Sequence, residues 1–196
     1  MSAGAEGAAA RTRHRDERHR AGGSGRAERA AADRRRAWEA AESVADPELP
    51  MLTLADLGVL GEVEADGDGG AVVSVTPTYS GCPAMGAIRA DLDRALRAAG
   101  FTRVELRTVL HPPWSTDRIT ERGRRLLAEH GVSPPGPAPE RDGPVPLSLV
   151  PRRRALHCPR CGSDSAELTS EFGSTACKAL YRCTACAEPF EHMKEI

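Results

Sequence analysis

Two pairs of cysteines near the C-terminus, "CPRC" at 158–161 and "CTAC" at 183–186, constrain this chain more than anything else in it. Each Cys-x-x-Cys pair forms a knuckle that delivers two thiolates to one point, and the 21 residues between the knuckles suffice for a hairpin. Cys158, Cys161, Cys183 and Cys186 therefore predict a tetrahedral four-thiolate site of the ribbon type, with zinc the expected ion and iron the competing one. Four thiolates leave no open position for water or substrate, so the ion is expected to be structural. Its binding should also be the folding of a segment whose own core is too small to hold. Cys177 lies outside both knuckles and has three readings: an alternative ligand, a small buried residue or a functional thiol. Spacing alone favours the buried residue. His157 and His192 flank a ligand set that is already complete and read as surface residues.

Upstream of the knuckles, "VSPPGPAPERDGPVPLSLVPRRR" has six prolines before position 147 and no periodicity, and predicts a semi-extended linker over 133–154. The N-terminal 34 residues are dense in Arg and Ala, lack apolar periodicity and predict a disordered tail. Its acids Asp16, Glu17, Glu28 and Asp33 argue against a transit peptide. What remains is a folded unit over 35–132 and the ribbon over 155–196, consistent with a length of 196 residues that holds one ordinary domain plus a small satellite. Aromatic residues make up only 4% of the chain, so core area must come from Leu, Val and Ala. A net charge of −1 argues against a nucleic acid as main partner, and the arginines of the tail and of "PRRR" lack the interleaved aromatics of a stacking platform. No apolar run approaches the roughly 20 residues that cross a bilayer, and no secretory signal is evident, so a cytoplasmic protein is expected. Self-association into a homo-oligomer is left open.

Within 35–132 the pattern reads α-β-β-α-β-α, an α+β unit. Trp38, Ala41 and Val44 mark a first helix ended at Asp46-Pro47. In "TLADLG", Thr53 and Asp56 have capping-box spacing and Gly58 suits a left-handed closing residue. Strands over 59–65 and 71–78 are joined by "DGDGG", a strong hairpin signal. The run 83–99 puts Met85, Ile88, Leu92, Leu96 and Ala99 on one stripe and stops at Gly100. "TRVELRTVL" alternates as a half-buried strand, and "STDRITERGRRLLAEHG" predicts one helix capped at Ser115 or Thr116.

"TPTYSGCPAM" sets Cys82 between strand and helix, with Pro83 favoured at the first helical position, which makes Cys82 the N-cap. Cysteine is a poor cap, so helix formation does not explain it. A thiol at the positive end of the helix dipole would have a lowered pKa and favour the thiolate, whereas the competing reading is a small hydrophobe packed beneath the loop. On these residues the two stand even. No histidine lies close in sequence to support a Cys-His nucleophile pair.

Three stretches in order, "VADPELPMLTLADLGVL", "VTPTYSGCPAM" and "CPRCG" through "EFGSTACKALYRCTACAEPFEHMK", resemble the PaaD subunits of the phenylacetate-CoA oxygenase (phenylacetyl-CoA epoxidase) system. The first unit is similar to the MIP-type domain of SufT-like iron-sulfur assembly factors. The resemblance spans the chain from about residue 38 onward except the linker, and Gly86 departs from the acidic residue that the motif carries after "GCPAM". It implies an accessory protein of aerobic phenylacetate catabolism that assists maturation or assembly of a multicomponent epoxidase, without catalysis of its own. The partners implied are a di-iron oxygenase component and an iron-sulfur flavin reductase component. Cys82 matches the cysteine of the "GCP" motif, Asp46 and Glu48 the "DPE" motif, and Thr76 and Thr78 the strand leading to the cysteine. A transient iron ion or iron-sulfur cluster at Cys82 is implied in addition to the ribbon zinc. The alternative from a different class is a thiol redox protein that uses Cys82 with Cys177, two thiols separated in sequence by the whole linker.

Overall fold

Helix α1, over 25–42, lays Ala37 and Ala41 against the core, and Val44 continues that face just beyond its end. The computed structural model describes residues 25–79, 81–138 and 156–196; the predicted tail up to residue 24 and the predicted linker from 139 to 154 lie outside the described residues. Residues 25–34, read from sequence as tail, are helical, which corrects that boundary. They have no apolar stripe of their own, but Arg26 pairs with Asp68 at 3.1 Å, and a Cβ added to Gly67 would meet the Ala30 backbone at 3.1 Å. The hairpin thus supplies a contact that local pattern does not encode. Trp38 is 39% exposed and donates to Glu42 Oε2 rather than joining the predicted buried face.

The hairpin itself forms where the Asp-Gly pairs placed it, with β1 (Leu60–Ala65) antiparallel to β2 (Gly70–Val75). Asp66 Oδ1 accepts the N–H groups of Asp68 and Gly70, and Gly67 and Gly69 adopt φ of 79° and 83°. An irregularity in β1 between Leu60 and Val63 shifts the register, so both of these residues face the core despite their odd spacing. Helix α2 (Met85–Ala98) buries Ile88, Leu92 and Leu96, and crosses to β3 (Arg103–Thr108), which pairs parallel with β2. The sheet order is β1-β2-β3. β2 ends at Val75, so Thr76, Pro77 and Thr78 belong to the loop at its carboxyl end rather than to the strand predicted through 78.

The single helix predicted from Ser115 is two elements. A 3-10 turn, Thr116–Arg118, is capped by Ser115, and α3 (Glu121–Glu129) is capped by Thr120, whose Oγ1 accepts from Gly123 N–H at 2.9 Å. Ile119 is extended between them, turned into the core, and Thr120 N–H donates to the Asp56 carbonyl. Asp56 also takes the Thr120 hydroxyl and the Arg122 guanidinium, so the "TLADLG" turn holds the break in place. That turn is built as its sequence predicts: Thr53 and Asp56 exchange hydrogen bonds and Gly58 has φ of 65°.

The ribbon is an antiparallel sheet of β5 (Ala166–Ser170), β6 (Lys178–Cys183) and β7 (Pro189–Met193). Its order, β4-β7-β6-β5, includes a strand from the first unit: β4 (Val132–Ser133) runs parallel to β7. Ser133, assigned by sequence to the linker, is therefore sheet. Met193 joins the core of the first unit, and Thr116 N–H donates to the Ile196 carbonyl. His192, read as a surface residue, is fully buried at this seam, with Nδ1 at 3.3 Å from Ser133 Oγ and Nε2 at 3.2 Å from Glu195. Its neighbours in the second dimension, β4 and the Tyr181 ring, are not visible in a local sequence window. His157 is exposed, as read.

Candidate metal centre and junction site

The two knuckles converge. The sulfurs of Cys158, Cys161, Cys183 and Cys186 all lie within 4.8 Å of one another, with Cys158 to Cys186 at 3.8 Å and Cys161 to Cys183 at 3.6 Å. A tetrahedral zinc with bonds near 2.3 Å requires edges of about 3.8 Å, so the four positions fit such an ion without rearrangement. Backbone N–H groups help prepare the site. The Cys186 N–H, with that of Ala185, holds the Cys183 thiol down at about 6. At Cys161 the Ser163 N–H pulls the same way, but the crowding sulfurs outweigh it and push that thiol up to about 12. Four thiolates this close cannot all ionise unless a cation sits between them. The surrounding core is small: Leu156, Ala179, Tyr181 and Phe190 are its buried members besides two ligands. A unit of that size depends on the ion for its fold.

The second candidate lies at the seam between the units. The loop after α1 is fixed by Asp46, whose Oδ1 accepts the N–H groups of Glu48 and Leu49, both at 2.9 Å. This turns the half-buried Glu48 toward the carboxyl end of β2, where the strand-to-helix loop carries Thr78, Tyr79 and Cys82. A narrow cavity of about 20 Å³ opens here, lined by Asp46, Glu48, Thr78 and Cys82 from the first unit and by Cys177 and Met193 from the ribbon. Thr76 is buried beside it in the fold and does not line it; its N–H donates to the Val59 carbonyl.

Two details differ from the sequence expectation. The N-cap of α2 is Ala84, not Cys82; Pro83 falls in a turn in which the Met85 N–H reaches the Cys82 carbonyl at 3.4 Å. Nor is the Cys82 thiol made more acidic. Burial pushes it up, the Ala84 N–H pulls against that, and Glu48, Asp46 and Cys177 add to the rise. Helix-dipole reasoning missed the two carboxylates that the fold sets beside the sulfur. Cys177 is buried, as spacing suggested, with Thr175 Oγ1 at 3.0 Å from its sulfur, and burial pushes its thiol up as well. Tyr79, not singled out in the sequence, feels Cys82, Cys177 and Glu48 together. A Cβ at Gly86 would meet nothing within 4 Å, so that position projects away from the cavity. Among the described residues, the four ribbon cysteines are the one group of three or more such side chains whose ligand atoms lie within 4.8 Å. Cys82, Cys177 and Glu48 are gathered around a space without forming a closed cage.

Residues 34–106 match the family of iron-sulfur cluster assembly proteins, and residues 142–194 match the PaaD zinc beta ribbon domain. A 1,2-phenylacetyl-CoA epoxidase component of the PaaD type from Escherichia coli (strain K12) is 44% identical over 157 residues, which cover 80% of this chain and 90% of that one. The Fe-S protein maturation auxiliary factor YitW of Bacillus subtilis (strain 168) is 33% identical over 89 residues, 45% of this chain and 86% of its own. Among solved structures, a domain of unknown function from Bacillus anthracis is 31% identical and superposes with a TM-score of 0.48, covering 52% of this chain and 96% of that domain. An iron-sulfur assembly domain joined to a PaaD zinc ribbon, with identity to an epoxidase component running across nearly its full length, places this chain in the PaaD family.

Proposed function

We propose that this chain is an accessory subunit of a phenylacetyl-CoA epoxidase system, acting in the cytoplasm on the metal centres or assembly of the oxygenase and reductase components rather than on phenylacetyl-CoA. In this reading Cys158, Cys161, Cys183 and Cys186 hold a structural zinc, and Cys82 is the working thiol, taking iron or a nascent cluster as cargo. Asp46 holds the loop that presents Glu48, and Thr78 shapes the approach. The observation that carries the proposal is the placement of Cys82 at the carboxyl end of β2 with Glu48 beside it, in a chain 44% identical to an epoxidase component. A soft thiolate next to a carboxylate binds a metal ion without enclosing it, which suits delivery.

Cys82→Ser tests this. The Ala84 N–H that meets the sulfur can meet a hydroxyl as well, so the variant should fold normally and keep its ribbon metal. A hydroxyl stays protonated and ligates iron poorly, so cells carrying only this variant should lack active epoxidase. Full activity with a folded Cys82→Ser protein would remove Cys82 from the function.

Because Cys82 and Cys177 line one cavity, a second reading is a dithiol reductant. There the two thiols would pass two electrons and two protons to a partner disulfide, forming a Cys82–Cys177 disulfide as the partner's becomes two thiols. A metal-loaded state that forms under reducing conditions favours the first reading; a mixed disulfide with a partner favours the second.

A further inference from the structure

We propose that Cys177 of the ribbon is the second thiol of the Cys82 site, and that the pair, with Glu48, holds a single thiophilic divalent cation as cargo across the seam of the two units. This deepens the proposed function and rests on its reading of Cys82 as a metal-handling thiol. Both cysteines line the same cavity, one from each unit, and two carboxylates line it with them. No Lys, Arg or His is on the lining; its remaining members are apolar side chains and a threonine. Thiolates and carboxylates gathered in a partly dry space repel one another, and only a cation from outside relieves that. Lys178, the residue after Cys177, does not serve, because its ammonium is committed to Glu191 at 2.8 Å.

The size of the space selects the cargo. About 20 Å³ admits roughly one water-sized sphere, hence one ion and not a cluster of several irons and sulfides. Two sulfurs and one carboxylate leave a coordination position open, unlike the closed ribbon site. The ligand atoms are not drawn together in advance, since among the described residues no such group outside the ribbon stands within 4.8 Å. An ion must pull them in, and it leaves more readily for that reason. The ribbon metal acts on this site at a distance: β6 runs from Lys178 to the ligand Cys183, so the strand anchored at one end by the ion sets Cys177 at the other.

Titration of the full chain with Co²⁺, its ribbon zinc verified beforehand and zinc release followed throughout, decides the matter. Wild type should take up cobalt without losing zinc and show thiolate-to-cobalt charge-transfer absorption. Cys82→Ser and Cys177→Ser should each lose it. Thr175 can bond a serine at 177, and Cys177→Ala, checked by thermal melting, covers the case in which the hydroxyl perturbs the fold. If Cys177→Ser and Cys177→Ala bind cobalt as wild type does while Cys82→Ser does not, this inference fails and the reading of Cys82 stands. If Cys82→Ser also binds as wild type, both fall. Absence of any cobalt beyond zinc replacement in wild type overturns the shared site.

Discussion

Asp46 illustrates why a residue from a functional motif need not touch cargo. Its carboxylate is 8% exposed and one oxygen is occupied by two backbone N–H groups, an arrangement equivalent to a helix cap. Asp46→Ala should cost about 1–2 kcal/mol in urea unfolding, because two donors lose their acceptor, and Asp46→Asn should recover most of it. An alanine variant as stable as wild type would mean that the carboxylate is kept for the cavity alone. Much at this scale was legible in the sequence. The cysteine spacings announce the four ligands, and the oddness of a cysteine before Pro83 singles out Cys82. What was not legible is the electrostatic surroundings of Cys82, because they depend on Glu48 and Cys177, which the chain brings from 34 residues before and 95 residues after it.

Elements with local causes were read correctly and those with tertiary causes were not. The hairpin needs only its Asp-Gly loop, and α2 only its stripe. The break at Ile119 needs Asp56, and β4 exists only because β7 lies beside it: two residues, Val132 and Ser133, carry no period to detect. The end of β7 offers a test of how that seam is held. Glu195, 18% exposed in its side chain, takes His192 Nε2 and the Gly136 N–H; burial pushes its carboxyl up, but these bonds outweigh it and hold it at about 2, below the ordinary 4.5. A carboxyl whose pKa is lowered by folding stabilises the fold above its unfolded pKa and ceases to as pH falls through the folded value. The stability advantage of wild type over Glu195→Gln should therefore be full at neutral pH, decline below about 4.5 and vanish near 2. Comparing the two proteins cancels other acid-sensitive carboxylates such as Asp66, also at about 2. A difference that stays constant over this range would show that Glu195 acts through packing.

At the scale of the molecule, the two units are not beads on a linker. They share a sheet through β4 and β7, a core through Met193, and a cavity through Cys177. The ribbon ion is then coupled to the state of Cys82. Cys186→Ser removes one ligand at an exposed position, so it subtracts a thiolate with little packing. With three thiolates the closed tetrahedron opens, and the few apolar side chains of the ribbon do not hold β5 to β7 by themselves. The sequence-based expectation was that the first unit would be indifferent to this. The structure predicts otherwise, since unfolding the ribbon withdraws Met193, 1% exposed, from the main core, at a cost of about 2–3 kcal/mol to that unit. It also lifts Cys177 away from Cys82. Peptide-resolved alkylation should accordingly find Cys82 modified faster in Cys186→Ser than in wild type, and wild type treated with a strong chelator should behave as the variant does. If Cys82 reacts at the same rate in all three while zinc is demonstrably lost, the ribbon does not cover the thiol, and the seam drawn by β4 and β7 persists without the metal.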